Sequence, residues 1–295
     1  MDKLPSRARS TSASLARVSA IVVVSDVRPN ASGQTPLDLC LRSALVEDLI
    51  DDLVIVDHGN SAQISSLLRA FEADRRDVKV IKTDASVSLA AAANAGAREA
   101  LGRWLLFLGA DVVLQRGAVS RMVAAAGDAR APRIVGGRLL DLEGRERAAA
   151  RAGALNAFSA VAVAVDWPVT PRLKVRRDEA AKVAAVSGAL MLMSRRDFND
   201  LQGFDERFDG EFADLDLCRR AAQAGGSVLL QPEAAGVQFE FAKASRRNAA
   251  QGLALFAAKS AKTPMERAFA SIAEPALAIL LGLRAFVAGR PRLRR

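Results

Sequence analysis

The chain has 295 residues, 51% hydrophobic and 25% charged, which suffices for one large α/β domain or two small ones and excludes disorder for its bulk. Its net charge of +9 sits at the ends: residues 1–17 carry four bases against one acid, residues 243–295 eleven against two, and residues 18–242 net −3. No nucleic-acid partner is therefore expected of the body, where aromatics at 5% also leave few stacking platforms, while the basic ends suit phosphates or an anionic membrane surface.

Two cysteines (Cys40, Cys218) and one histidine (His58) cannot build a zinc motif or a disulfide framework. No Gly-x-Ser-x-Gly turn accompanies His58, which argues against serine-hydrolase chemistry and leaves it a loop residue. Residues 1–17 read as a disordered basic arm. The apolar run Ile21 to Val24 is too short for a signal peptide, so a cytoplasmic domain is expected.

Val18 to Ser25 is a β-branched apolar run, the pattern of a parallel strand buried on both faces. Helical spacing over 37–48, a strand at Leu53–Val56, a helix at Ala62–Asp74, a strand at Val78–Ile81, an Ala-rich helix at Leu89–Leu101 and a strand at Trp104–Leu108 follow. Four strands alternating with three helices imply right-handed crossovers and a doubly wound sheet. Ligands of such sheets lie at the carboxyl ends of the strands, where Asp57 and Asp111 fall. Either acid also reads as a plain N-cap of the next helix. The second half predicts a buried strand over Val183–Met193, with Gly188 permitting close backbone approach, and a short helix at Arg195–Leu201. A turn at Gly203–Glu206, a helix at Asp214–Gly225 and a late strand at Val228–Leu230 before Pro232 complete it. Arg138, Arg145, Arg147 and Arg151 read as a solvated charged face, with attraction to a diphosphate or lipid phosphate as the other reading. Ala268–Ala288 is apolar but interrupted by Glu274, Pro275 and Arg284. It is too broken to span a bilayer and reads either as an amphipathic helix on a membrane or as a packed terminal helix.

The first strand, Val56-Asp57-His58-Gly59, Ala93-Asn94-Ala95-Gly96, Leu106 to Asp111, Ser187-Gly188-Ala189, Gly203 to Phe208 and Ala213 to Arg220 resemble, in order and spacing, the inverting family 2 glycosyltransferases of GT-A fold. Their rhamnosyltransferase-like subgroup is the most similar. The resemblance covers about residues 18–240. It implies a GT-A domain over 18–242, with a Rossmann-like nucleotide-binding half and an acceptor-facing half, followed by a basic helical segment over 243–295. It further implies a nucleotide-diphosphate sugar as one substrate and a lipid-linked or polysaccharide acceptor, in cell-surface polysaccharide synthesis, on the inner face of the membrane. By the same resemblance Asp57 would bind the base, Asp111 would hold Mg²⁺ or Mn²⁺ against the diphosphate, and Asn94 and Gly188 would line the sugar-nucleotide site, although Asn94 in its Ala-rich helix also reads as a satisfied core amide. Asp205 and Glu206 would shape the acceptor loop, Asp216 and Arg219 would brace the helix, and Asp214 would be the catalytic base. Gly109 replaces the first acid of the metal motif, Ala213 the Glu before the base and Gln238 a late metal-binding His. These substitutions keep open a second reading, a catalytically silent GT-A domain that binds a nucleotide or a partner.

Overall fold

The computed structural model describes residues 17–25, 36–127, 129–147, 151–152, 179–209, 212–239 and 246–288. The basic arm (apart from Arg17), Arg151's side chain and the tail 290–295 lie outside what it describes.

Strands β1 (Val18–Val24), β2 (Ile50–His58), β3 (Val78–Thr83) and β4 (Trp104–Leu108) alternate with helices α1 (Pro36–Leu45), α2 (Ala62–Ala73) and α3 (Leu89–Glu99), as the hydrophobic pattern demands. Ser61 and Ser88 cap α2 and α3 by accepting from the N–H groups of Ile64 and Ala91. The alanines of α3 let it lie directly on the sheet: a Cβ on Gly96 would stand 2.7 Å from Ile21 and 2.9 Å from Val56.

The remaining elements are β5 (Val112–Leu114), α4 (Ala118–Gly127), β6 (Arg133–Leu140), β7 (Arg151–Ala152), β8 (Ala181–Lys182), β9 (Ala185–Val186), β10 (Leu190–Ser194), α5 (Arg195–Asp200), α6 (Ala213–Gln223), β11 (Ser227–Gln238), α7 (Arg246–Ser260) and α8 (Pro264–Ala288). The main sheet runs β3-β2-β1-β4-β10-β6-β11-β5, with β8 on β11; β7 and β9 form a separate pair. β3, β2, β1 and β4 are parallel, whereas β10 is antiparallel to both β4 and β6. One apolar cluster lies under α1, α2 and α4, and the other under α3, α6 and α7.

Two strand readings are corrected. Val183–Met193 is not one strand: it breaks at Ser187–Ala189, where Leu190 N–H returns to Ser187 O (3.2 Å) and the Gly188 N–H leaves the ladder for a side chain. The last strand does not stop before Pro232 but continues to Gln238. Proline is tolerated because the register with β6 shifts between Gln231 and Ala235, so no ladder bond is asked of it there. β6 escaped the sequence reading because Gly136 and Gly137 dilute its apolar signal. Val186 and Leu190 fill the space their side chains would take.

The C-terminal helices join the body. Ala250, Leu253, Phe256 and Ala257 of α7 and Ala273 of α8 are buried in the second cluster, with Phe269 and Ala270 packed against it. Met265, Ile272 and Ile279 of α8 are 60–68% exposed. Among the described residues, no helix is long and apolar enough to cross a membrane.

Candidate active site

Asp57 is the next-to-last residue of β2, in register with Val24 of β1, and is buried. Asn60, in the turn to α2, donates from Nδ2 to Val24 O (2.6 Å) and Asp57 Oδ1 (2.8 Å), so the acid is oriented by its own loop. His58 points into the sheet packing instead: it is buried, and its Nδ1 shares a 2.9 Å hydrogen bond with the Thr83 hydroxyl on β3. It ends a strand rather than sitting in a loop.

Asp111 follows β4, with β1 between it and Asp57. Its carboxylate folds back over Gly109, where a Cβ would stand 2.8 Å from Oδ1. The Gln238 amide approaches the same carboxylate, Nε2 lying 3.2 Å from Oδ2 and 3.4 Å from Oδ1. Both contacts follow from substitutions visible in the sequence: glycine leaves room for the carboxylate, and glutamine brings a donor to it. Among the described residues, no group of three or more His, Cys, Asp or Glu could hold a metal ion.

Asp214 opens α6. Its Oδ2 accepts from Gly188 N–H (2.8 Å) and its Oδ1 from Leu215 N–H (2.8 Å). Burial pushes its carboxyl above the ordinary Asp value, and these two N–H groups only partly oppose that. A Cβ at position 188 would come within 3.3 Å of Asp214 Cβ, so glycine is what lets the β9–β10 connection reach the acid. Gly109 N–H donates to Ala189 O (2.9 Å), so Asp111 and Asp214 flank the one backbone segment 187–189. Phe212, just before this turn, is a buried non-glycine residue at φ +79°, a strained backbone that the surrounding packing must hold. Nothing in the sequence marks it.

Asn94 and Gly188, expected to line the sugar-nucleotide site, both make hydrogen bonds within the protein, as the core-amide reading of Asn94 anticipates. Asn94 Nδ2 donates to Phe204 O and Glu206 Oε1 (both 2.9 Å) while Oδ1 accepts from Phe204 N–H (2.9 Å). That amide is consumed in clamping the 203–206 loop, and Gly188 spends its N–H on Asp214. Asp205 is held by Arg207 and by Lys259 of α7, whose Nζ lies 2.5 Å from Asp205 Oδ2 and 2.8 Å from Asp216 Oδ1. The Arg207 guanidinium, then Lys259, keep the Asp205 carboxyl far below the ordinary carboxylate range, which removes it as a proton acceptor near neutrality. Asp216, fully buried, also binds Arg219 and Arg220 at 2.7 Å each, the expected bracing of α6. Lys259 was missed by the sequence reading, although a single cation inside the apolar run Leu253–Ala261 is the kind of signal that marks a buried partner.

A cavity of about 420 Å³ opens beside Asn94, Arg98, Arg195 and Glu206, but none of Asp57, Asp111 and Asp214 lines it. Both cysteines are free and buried, which pushes the Cys218 thiol up to about 12 and Cys40 higher still, so neither is a nucleophile.

The family model described as Glycosyl transferase family 2 matches residues 30–202, ending before α6. Pre-mycofactocin glycosyltransferase of Mycobacterium tuberculosis is 29% identical over 213 residues, 72% of this chain but 41% of that protein, so the chain spans less than half the length of that curated relative. A mannosyltransferase from Pyrobaculum calidifontis, in complex with GDP-Man and Mn2+, superposes with a TM-score of 0.56 at 18% identity over 93% of this chain and 76% of its own. GalNAc-T7, with UDP, GalNAc and Mn2+, gives 0.57 at 17% identity over 77% of this chain and 44% of its own. At such identities the likeness establishes the fold alone, and that fold is the GT-A arrangement.

Proposed function

This chain belongs to glycosyl transferase family 2, and from that premise we propose that it moves a sugar from a nucleotide-diphosphate sugar to an acceptor hydroxyl with inversion of configuration, Asp214 acting as the base. The observation that carries the reading is the Asp214 carboxylate: it heads a helix, is fixed by two backbone N–H groups, and its affinity for a proton is raised by burial. In the step proposed, Asp214 takes the acceptor's hydroxyl proton and the acceptor oxygen forms the new bond to the sugar C1. The C1–O bond to the diphosphate breaks with its electron pair staying on the phosphate oxygen. One base and one displacement give inversion.

Asp57, steadied by Asn60, is suited to accept a hydrogen bond from the nucleotide base. Asp111 is one carboxylate, so a divalent cation fits there only with diphosphate oxygens and water completing its shell and with the Gln238 amide moved aside. Such a cation would offset leaving-group charge; the Mn2+ in the two solved structures supports including it in assays.

For the acceptor we propose a lipid-linked or growing polysaccharide at the cytoplasmic face of the membrane. The support is the α8 stripe Met265, Ile272 and Ile279, exposed at seven-residue spacing within the segment 243–295, whose sequence carries eleven bases against two acids. The name of the M. tuberculosis relative puts a different acceptor, pre-mycofactocin, into the same test panel. The second reading, a silent nucleotide-binding domain, is favoured by one observation, the Asp111 carboxylate folded over Gly109 and bonded by Gln238.

Asp214→Asn separates the two. A base lost lowers turnover about a hundredfold to ten-thousandfold while nucleotide affinity barely changes. Wild-type turnover should fall on the acid side at a pH above the ordinary Asp range, because Asp214 must be ionised to accept the proton and its value is raised. Wild-type protein that binds sugar nucleotides but transfers to no acceptor, or full transfer by Asp214→Asn, defeats the proposal.

A further inference from the structure

Arg138 lies on β6 between the two strands that frame the site. Its register partner on β11 is Ala235, and on the other side the pairing of β6 with β10 ends two residues earlier, at Gly136 opposite Met191. Alternation along the strand puts it on the face of Gly136, whose absent Cβ would strike Val186. Val186, Ala213 and Leu217 share one cluster on that face, so Arg138 stands on the Asp214 side of the sheet.

Of the four arginines read as a solvated face or as attracting a phosphate, three have described side chains, and they differ. Arg145 is solvated, 73% exposed and paired with Asp141 and Glu143, and Arg147 donates to the Gln238 carbonyl (3.2 Å). Arg138 is only partly exposed, its Nε is buried without a partner, and its guanidinium makes no hydrogen bond or ion pair among the described residues. Burying Nε without a partner is unfavourable, while the two terminal nitrogens of the fork are not buried in this way and stay open to a ligand. Asp57, Asp111 and Asp214 explain the need for a cation: a nucleoside diphosphate entering among three carboxylates brings further negative charge, and the planar guanidinium fork matches phosphate oxygens.

We infer that Arg138 is a phosphate-binding residue whose guanidinium pairs with the diphosphate of the sugar nucleotide, so that nucleotide binding survives removal of divalent cations. The inference rests on the glycosyl-transfer reading. It assigns to this chain's own arginine part of the charge compensation that Gly109 and Gln238 have removed from the metal motif.

The test is calorimetric titration of UDP, GDP and dTDP, with the matching nucleosides as controls, into wild type, Arg138→Gln and Arg138→Lys, each in EDTA and in Mn2+. Wild type should bind one diphosphate in EDTA. Arg138→Gln should weaken it about ten- to a hundredfold, as expected for hydrogen bonds to a charged group. Its affinity for the nucleoside should stay unchanged, and Arg138→Lys should recover part of the loss. Equal diphosphate affinity in wild type and Arg138→Gln overturns the inference alone, as does a parallel loss for the nucleoside, which signals structural damage. Wild-type binding that vanishes in EDTA overturns the cation-independent role. No diphosphate binding under any condition overturns it together with the glycosyl-transfer reading.

Discussion

Replacing Lys259 with methionine removes one charge and leaves the aliphatic stem to pack near Phe208, over whose ring the ammonium now lies at 5.4 Å. Two charge-assisted bonds disappear, to Asp205 (2.5 Å) and Asp216 (2.8 Å), with the three side chains 17%, 15% and 0% exposed. Stripping a buried acid of its only partner costs about 3–5 kcal/mol, but Asp216 keeps Arg219 and Arg220, and Asp205 keeps Arg207. The expected loss is therefore about 2 kcal/mol, lowering Tm by about 4–8 °C. The Asp205 value is depressed in the folded state, so its contribution is present above the unfolded carboxylate range and lost as pH falls toward the folded value. The gap between wild type and variant should hold at neutral pH and close only in acid. Denaturant unfolding of Lys259→Met, Asp205→Asn and the double variant measures it, and acceptor KM should rise because the 203–206 loop is no longer tied to α7. A stability change below about 0.5 kcal/mol, or no coupling in the cycle, refutes the claim that this lysine locks the C-terminal helices to the 203–206 loop and α6.

Gly188→Ala should lower turnover roughly tenfold while costing about 1 kcal/mol of stability, because its Cβ would press on Asp214 at 3.3 Å and lengthen the hydrogen bond that the residue 188 N–H donates to the carboxylate. Unchanged kcat would separate Gly188 from the chemistry. Ile272→Ser combined with Ile279→Ser should reduce sedimentation with vesicles containing acidic lipid while leaving Tm within about 2 °C, since both side chains face outward. Equal sedimentation of variant and wild type would leave α8 with no membrane role.

The first half of the fold was legible because its signals are local. Val18–Val24 and Leu53–Val56 are buried on both faces, so their apolar runs are nearly continuous, whereas the cap of α2, read from sequence as possible work for Asp57, is Ser61, and that of α3 is Ser88. The second half was harder for the same reason reversed. β6 is a strand because Val186 and Leu190 fill the hollows of Gly136 and Gly137, a fact about residues some fifty positions away.

The amino-acid order alone determined which strands alternate with which helices and which acids stand at their ends, since hydrophobic period and turn chemistry act over a few residues and put Asp57, Asp111 and Asp214 at element boundaries. Only the tertiary structure decided what those boundaries do. Asn94 became a loop clamp because Phe204 and Glu206 fold onto it, Gly188 an orienting contact because α6 comes within 3.3 Å, and Arg138 a cation whose Nε finds no partner among the described residues. Hydrogen bonds and charge pairs between residues far apart in sequence depend on distances of a few ångströms, and those distances are set by the packing of the whole sheet rather than by any local run of residues.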